Sequence, residues 1–244
     1  MPKPNLLIVG CQKCGTTWLH RALSKHPKIF GSQVKELNYF NLPDRKGALE
    51  PYLANFPEHD GVEYYMESTP HYFRGAEFPV NVAGRIKAEL DDAKLIVIFR
   101  NPVDRYESAY IHHVMQGRLP YESVIDKVID DFSMLALGRY ANVLIYWQKI
   151  FGSALKPLIY DDLRADPVNF AGQVFDHPDL DNPLTAKALD FRTNDKKQKM
   201  HKMSEPWDSI PVLSDRVREN LCDQYRPDVL KLGELMDRDL SHWT

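Results

Sequence analysis

LLIVGCQKCGTTWLHRAL, residues 6–23, is the stretch whose reading decides the fold. An apolar run ends at Gly10, a short polar loop follows, and an amphipathic segment begins at Thr16. Gly10 and Gly15 keep the G-x-x-x-x-G spacing of a phosphate-binding loop. In such a loop successive backbone N–H groups curl around an anion, and the following helix presents its positive end. The nucleotide-hydrolase version places Lys directly after the second glycine. Here Thr16 stands there, and the only lysine of the loop is Lys13. The Lys-Ser/Thr pair that holds a terminal phosphate and Mg²⁺ is therefore missing.

Outward from this loop, four runs read as strands, at 5–9, 62–67, 94–99 and 155–160. The third, KLIVIF, is almost continuously apolar and β-branched, as in a strand buried on both faces of a parallel sheet. The fourth is interrupted by Pro157. Helices are expected at 16–26, 81–90, 102–115, 137–151, 166–175, 213–222 and 227–236. Pro102 suits a first helical position, where its missing N–H costs nothing. Alternation of strands with helices predicts an α/β fold: a P-loop-type, mainly parallel sheet flanked by helices on both faces. Ligands then bind in the loops after Val9, Glu67, Phe99 and Tyr160.

The chain has 244 residues, 43% of them hydrophobic and 27% charged, with a net charge of −3. That reads as a single globular domain over 1–244 without the basic field that grips nucleic acid. No stretch reaches the ~18 apolar residues of a membrane span. The N-terminal apolar run is too short for a signal peptide, so cytoplasmic residence is the expectation. Cys11 and Cys14 form a C-x-x-C, readable as a redox pair, half a zinc site, or small side chains lining a tight loop. No second C-x-x-C completes a zinc site, so no metal is expected. The third strand runs into Phe99-Arg100, which suggests an anion there and not a metal ion.

LLIVGCQKCGTTWL resembles the 5′-phosphosulfate loop of sulfotransferases that use 3′-phosphoadenosine 5′-phosphosulfate (PAPS, leaving 3′-phosphoadenosine 5′-phosphate, PAP). IVIFRNPVDRYESAY, residues 96–110, resembles their 3′-phosphate motif. VKELNYF (34–40), YMESTPHYF (65–73), YDDLRADPVNF (160–170) and the C-terminal YRPDVLKLGELMDRDLSHW are similar to segments of the bacterial and heparan-sulfate-type branch.

The resemblance implies a PAPS-dependent sulfotransferase acting on a hydroxyl or amine, with a saccharide or small molecule as acceptor. It implies that Lys13, Cys14, Gly15, Thr16, Thr17 and Trp18 hold the 5′-phosphosulfate, with Lys13 also catalytic. It implies that Arg100 and Ser108 bind the 3′-phosphate and that Glu36 is the general base. The partly apolar run after Glu36 suggests burial of its carboxylate, which would raise its pKa toward a base's range. His71 and His112 are further candidates to supply or assist the base. Tyr39, Phe40, Tyr72 and Phe73 are candidates to stack on an acceptor ring, or to be core.

Two departures stand out. Heparan-type enzymes carry Lys where this chain has Ser68. Their disulfide-closed cofactor loop is replaced by the basic run 192–202, in which Lys196 and Lys197 are candidates for the acceptor side or the 3′-phosphate. Read without the resemblance, a nucleotide kinase or NTPase and a non-catalytic nucleotide-binding module remain the alternatives.

Overall fold

The computed structural model describes residues 1–43, 49–191, 193, 200 and 207–244. Lys196, Lys197 and most of the basic run lie outside the described residues. The chain groups into two compact units, one of residues 1–99 and 143–191, the other of residues 100–142 and 192–244.

The first unit contains a five-stranded sheet in the order β2-β3-β1-β4-β6. Its strands are β1 (Leu6–Gly10), β2 (Ile29–Gly31), β3 (Tyr64–Ser68), β4 (Lys94–Phe99) and β6 (Leu155–Ile159). Every neighbouring pair is parallel. All five residues of β1 and the last five of β4 are buried, which is why these strands read as unbroken apolar runs. Pro157 lies in β6, at the edge, where a missing N–H breaks no inner ladder. Strand order reverses about β1, because the chain builds β2 and β3 on one side of it and β4 and β6 on the other. The loop after β1 therefore leaves the sheet at the switch point where such folds bind ligands.

Helices connect and flank these strands: α1 (Thr16–Leu23), α2 (Leu49–Leu53), α3 (Val82–Glu89), α5 (Ala141–Phe151), α6 (Tyr160–Ala165), α7 (Pro167–Phe175) and α8 (Ala186–Leu189). β2, α2, α6 and α8 are short elements that the sequence pattern did not reveal.

The second unit contains α4 (Pro102–Met115), α9 (Asp215–Met236) and a two-stranded parallel ribbon of β5 (Val124–Ile125) and β7 (Val212–Leu213). Asn101 caps α4, its side-chain oxygen accepting from the N–H groups of Val103 (2.9 Å) and Asp104 (3.4 Å), with Pro102 at the first position. The sequence suggested two C-terminal helices separated at Pro227, but α9 runs through it unbroken. Val217, Leu221, Tyr225, Val229 and Leu232 form one continuous buried stripe on both sides of the proline, and that shared burial outweighs its lost hydrogen bond. No helix among the described residues is long and apolar enough to cross a membrane.

Candidate functional site

The loop after β1 is shaped by close approaches. A side chain at Gly10 would meet the Phe73 Cβ at 2.5 Å, so only glycine lets residues 69–73 lie against the strand end. Cys11 N–H donates to the Ile98 carbonyl at 3.0 Å, tying the loop start to β4. Lys13 and Gly15 both take left-handed backbone conformations, at φ of 66° and 88°. Gly15 opens α1 without a side-chain cap hydrogen bond. A curled backbone, an uncapped helix start, the Thr16 and Thr17 hydroxyls and the Lys13 ammonium together make a set in which every group can donate and none carries a negative charge. That chemistry fits a phosphosulfate.

Trp18 differs from the rest of the motif. Its ring stacks on Phe191 at 5.5 Å and meets Phe170 edge-on at 6.2 Å. These contacts anchor the indole of α1 in the unit's interior. Cys11 and Cys14 are both buried. Among the described residues, no group of three His, Cys, Asp or Glu side chains is placed to hold a metal ion.

Beside the loop, at the C-terminal end of β3, lies His71. Arg74 Nη2 is 3.2 Å from its Nδ1, and Gln12 Nε2 is 3.3 Å from its Nε2. A guanidinium only donates, so Nδ1 must accept, and the neutral ring then carries its proton on Nε2. That proton needs an acceptor, and the Gln12 side-chain oxygen, buried with no hydrogen-bond partner, supplies one if the amide is turned over. The pKa of His71 lies below the usual value, chiefly through burial and then the Arg74 charge; Glu36 opposes this, while Lys13 and Lys35 add to it. With both nitrogens engaged and the ring held neutral, His71 is built as a fixed donor and not as a base. The same charges show that the unit brings Lys13, Lys35, Glu36, His71 and Arg74 into one electrostatic neighbourhood.

Glu36 is not buried as the sequence suggested. Its side chain is 45% exposed, and Lys35 Nζ lies 3.2 Å from its Oε1. Residues 36 and 38 turn sharply away from the core, with φ of 65° at Glu36 and 58° at Asn38, and this lifts the carboxylate into solvent. The buried carboxylate of this region is Glu67, fully enclosed. It accepts from Tyr52 Oη (2.6 Å), Tyr72 Oη (2.6 Å) and Thr69 Oγ1 (2.8 Å). Tyr39, Phe40, Tyr72 and Phe73 are all at least nine-tenths buried, so they form core and not an exposed stacking platform. Ser68, where heparan-type enzymes carry Lys, is also buried.

In the second unit, Arg100 is the first residue after β4. Its Nη2 lies 3.8 Å from Asp104 Oδ2, and its carbonyl accepts from Tyr140 Oη at 3.0 Å. Asp104, Ser108 and His112 follow at four-residue spacing along α4 and are all part-exposed, while Val103, Tyr106, Ala109, Tyr110 and Val114 are buried. Arg100 and Ser108 thus lie at the start and on the open face of one helix, as a phosphate grip requires. The second arginine of the motif, Arg105, is fully buried and donates to the Met134 carbonyl, so it serves the fold. Sequence reasoning did not single out Gln12, Lys35, Arg74 or the enclosure of Glu67. Only the three-residue spacing of His71 and Arg74 hinted at any of them.

The profile of the sulfotransferase domain matches residues 3–209. Human heparan sulfate glucosamine 3-O-sulfotransferase 6 is 32% identical over 200 residues; the match covers 77% of this chain and 56% of that protein's length. The crystal structure of a sulfotransferase from Alicyclobacillus acidocaldarius is similar over 100% of this chain and 99% of its own, with a TM-score of 0.76 and 26% identity. A mouse sulfotransferase complexed with PAP shares the fold over 78% of this chain and 62% of its own, with a TM-score of 0.50 and 16% identity.

Proposed function

Because the chain belongs to the sulfotransferase family, we propose that it moves a sulfuryl group from PAPS to an acceptor hydroxyl or amine. The observation that carries this reading is the position of Lys13. It sits inside the curl of the loop, acts on the same histidine as Glu36, and stands beside a helix start that no side chain caps. PAP, the product left by PAPS, bound to a sulfotransferase of the same fold supports the donor, and heparan sulfate named for a relative at 32% identity supports a saccharide acceptor.

The bound donor supplies an activated sulfuryl group on its 5′-phosphate. Lys13, the Thr16 and Thr17 hydroxyls and the first N–H groups of α1 hold the phosphosulfate and take up the negative charge that grows on the bridging oxygen. Lys13 therefore does in the loop what a metal ion and a later lysine do in nucleotide hydrolases. Glu36, exposed and reachable, accepts the proton of the acceptor nucleophile. The neutral His71, its Nε2 proton fixed toward Gln12, steadies the loop on one side of Lys13. Arg100 and Ser108 grip the 3′-phosphate and so separate this donor from ordinary adenine nucleotides.

The test is transfer from labelled PAPS to a panel containing desulfated heparan sulfate and simple aryl and aliphatic alcohols. Lys13→Ala and Glu36→Gln are expected to abolish transfer with the fold intact, and Arg100→Ala to weaken PAP binding first. Magnesium-dependent ATP hydrolysis with no transfer would overturn the reading in favour of an NTPase. PAP binding without transfer to any acceptor would reduce it to a binding module.

A further inference from the structure

Glu67 is a buried carboxylate that the reaction does not use. It lies at the end of β3 in a pocket of hydroxyls, and the direction of those hydrogen bonds tells what it is for. Thr69 Oγ1 accepts from the Asn38 N–H at 3.3 Å, so its own proton is free to go to Glu67. Tyr72 Oη accepts from the Phe40 N–H at 3.3 Å, and its proton also goes to Glu67. Both hydroxyls are bridges: each takes a backbone proton from the segment that carries Glu36 and hands its own to one carboxylate oxygen. A third tie, Glu36 N–H to the Ser68 carbonyl at 3.0 Å, completes the attachment. The same residues 69–73 are fixed to β1, through Thr69 N–H to Ile8 O (3.1 Å) and Phe73 N–H to Val9 O (2.8 Å).

The Glu36 segment needs such anchoring. Glu36 and Asn38 are non-glycine residues in left-handed conformations, which are disfavoured for L-residues and persist only where the surroundings fix them. We propose that Glu67 is a positioning residue: through Thr69 and Tyr72 it holds the Glu36 turn at a set place relative to β1 and hence to the Lys13 loop. This rests on the reading of Glu36 as the base, and it adds the part of the molecule that keeps that base in place. Glutamine at position 67 retains one oxygen able to accept from both bridging hydroxyls, whereas leucine retains none.

Backbone amide exchange in the full chain tests the wiring without any acceptor, and kinetics with the best acceptor of the panel test its consequence. Tyr72→Phe is expected to speed exchange of the Phe40 amide, and Thr69→Val that of the Asn38 amide, each roughly fivefold for one lost hydrogen bond. Glu67→Leu is expected to speed both, and Glu67→Gln to leave both close to wild type. In Tyr72→Phe and Thr69→Val, kcat is expected to fall roughly 10- to 100-fold with the KM for PAPS unchanged, because a misplaced base slows chemistry and not donor binding. Unchanged exchange in both variants would overturn the proposal. So would faster exchange with kcat intact, or a loss confined to the donor KM. If Glu36→Gln itself keeps wild-type kcat, the base reading fails instead, while the exchange result still decides whether the wiring exists.

Discussion

Gly15→Ala perturbs the point on which the phosphate loop turns, and its cost follows from two independent terms. The residue has φ of 88°, a conformation that costs an L-amino acid roughly 1–2 kcal/mol. An added Cβ would also lie 2.8 Å from Tyr160 Cε2, 2.9 Å from Tyr160 Cδ2 and 3.2 Å from Leu163 Cδ2. Overpacking of that kind costs roughly 1–3 kcal/mol. The sum is roughly 2–5 kcal/mol, or about 4–20 °C in Tm for a chain of this size. Relief comes from a shift of the loop or of the Tyr160 ring; where the loop gives, PAP affinity should fall together with stability. Thermal unfolding followed by circular dichroism, with PAP titration by calorimetry, reads both quantities. Tyr160→Ala in the Gly15→Ala background should remove the clash and leave the backbone strain, so the double variant should lose less than the two single variants added together. A Gly15→Ala protein that melts within about 1 °C of wild type and binds PAP normally would refute this reasoning. Strict additivity with Tyr160→Ala would refute the steric half alone.

Three further outcomes are expected. His20 is buried, and burial, followed by the nearby Lys35 charge, pushes its pKa down to about 4 from 6.5. The unfolded chain therefore binds its proton more readily, so this contribution to stability is complete above pH 6.5 and is lost as pH drops toward 4, by about 3 kcal/mol in all; urea titrations across this range should show a shallower slope in His20→Gln than in wild type. Asp228 accepts from the N–H groups of Tyr140 (2.7 Å) and Ala141 (3.1 Å), so Asp228→Leu should cost roughly 1–3 kcal/mol by urea unfolding and Asp228→Asn less. On the role proposed for Lys13 in place of Mg²⁺, EDTA should leave the sulfuryl-transfer rate unchanged; a loss of rate restored by Mg²⁺ would contradict that role.

The sheet was legible wherever burial makes a strand monotonous. β1 and β4 read as apolar runs because parallel neighbours cover them on both sides. β2 escaped notice because three residues, one of them Gly31, carry no period to count. Pro227 was misread as the start of a separate helix because local propensity was weighed without the buried stripe that spans it. Of the site, the positions of the Gly-rich loop at the end of β1 and of Ser108 on α4 were legible, because both follow from fixed spacing along the chain. Glu36 and Glu67 were not, because two carboxylates 31 residues apart are told apart only by the turn that exposes one and the hydroxyls that enclose the other. The packing of Trp18 on Phe170 and Phe191 was not legible either, because residues 150 and more positions apart meet only in the fold.

The claim on which the rest depends is that a loop with its lysine at position 13, followed by Arg100 and Ser108, is built for a 3′-phosphorylated donor without a metal ion. Calorimetric titration of the full chain with PAP and with ATP, each in the absence and presence of Mg²⁺, tests this most directly. The account predicts that PAP binds much more tightly than ATP, indifferently to Mg²⁺, and that Arg100→Ala erases most of the difference. ATP binding as tightly as PAP, or only with Mg²⁺, would contradict it.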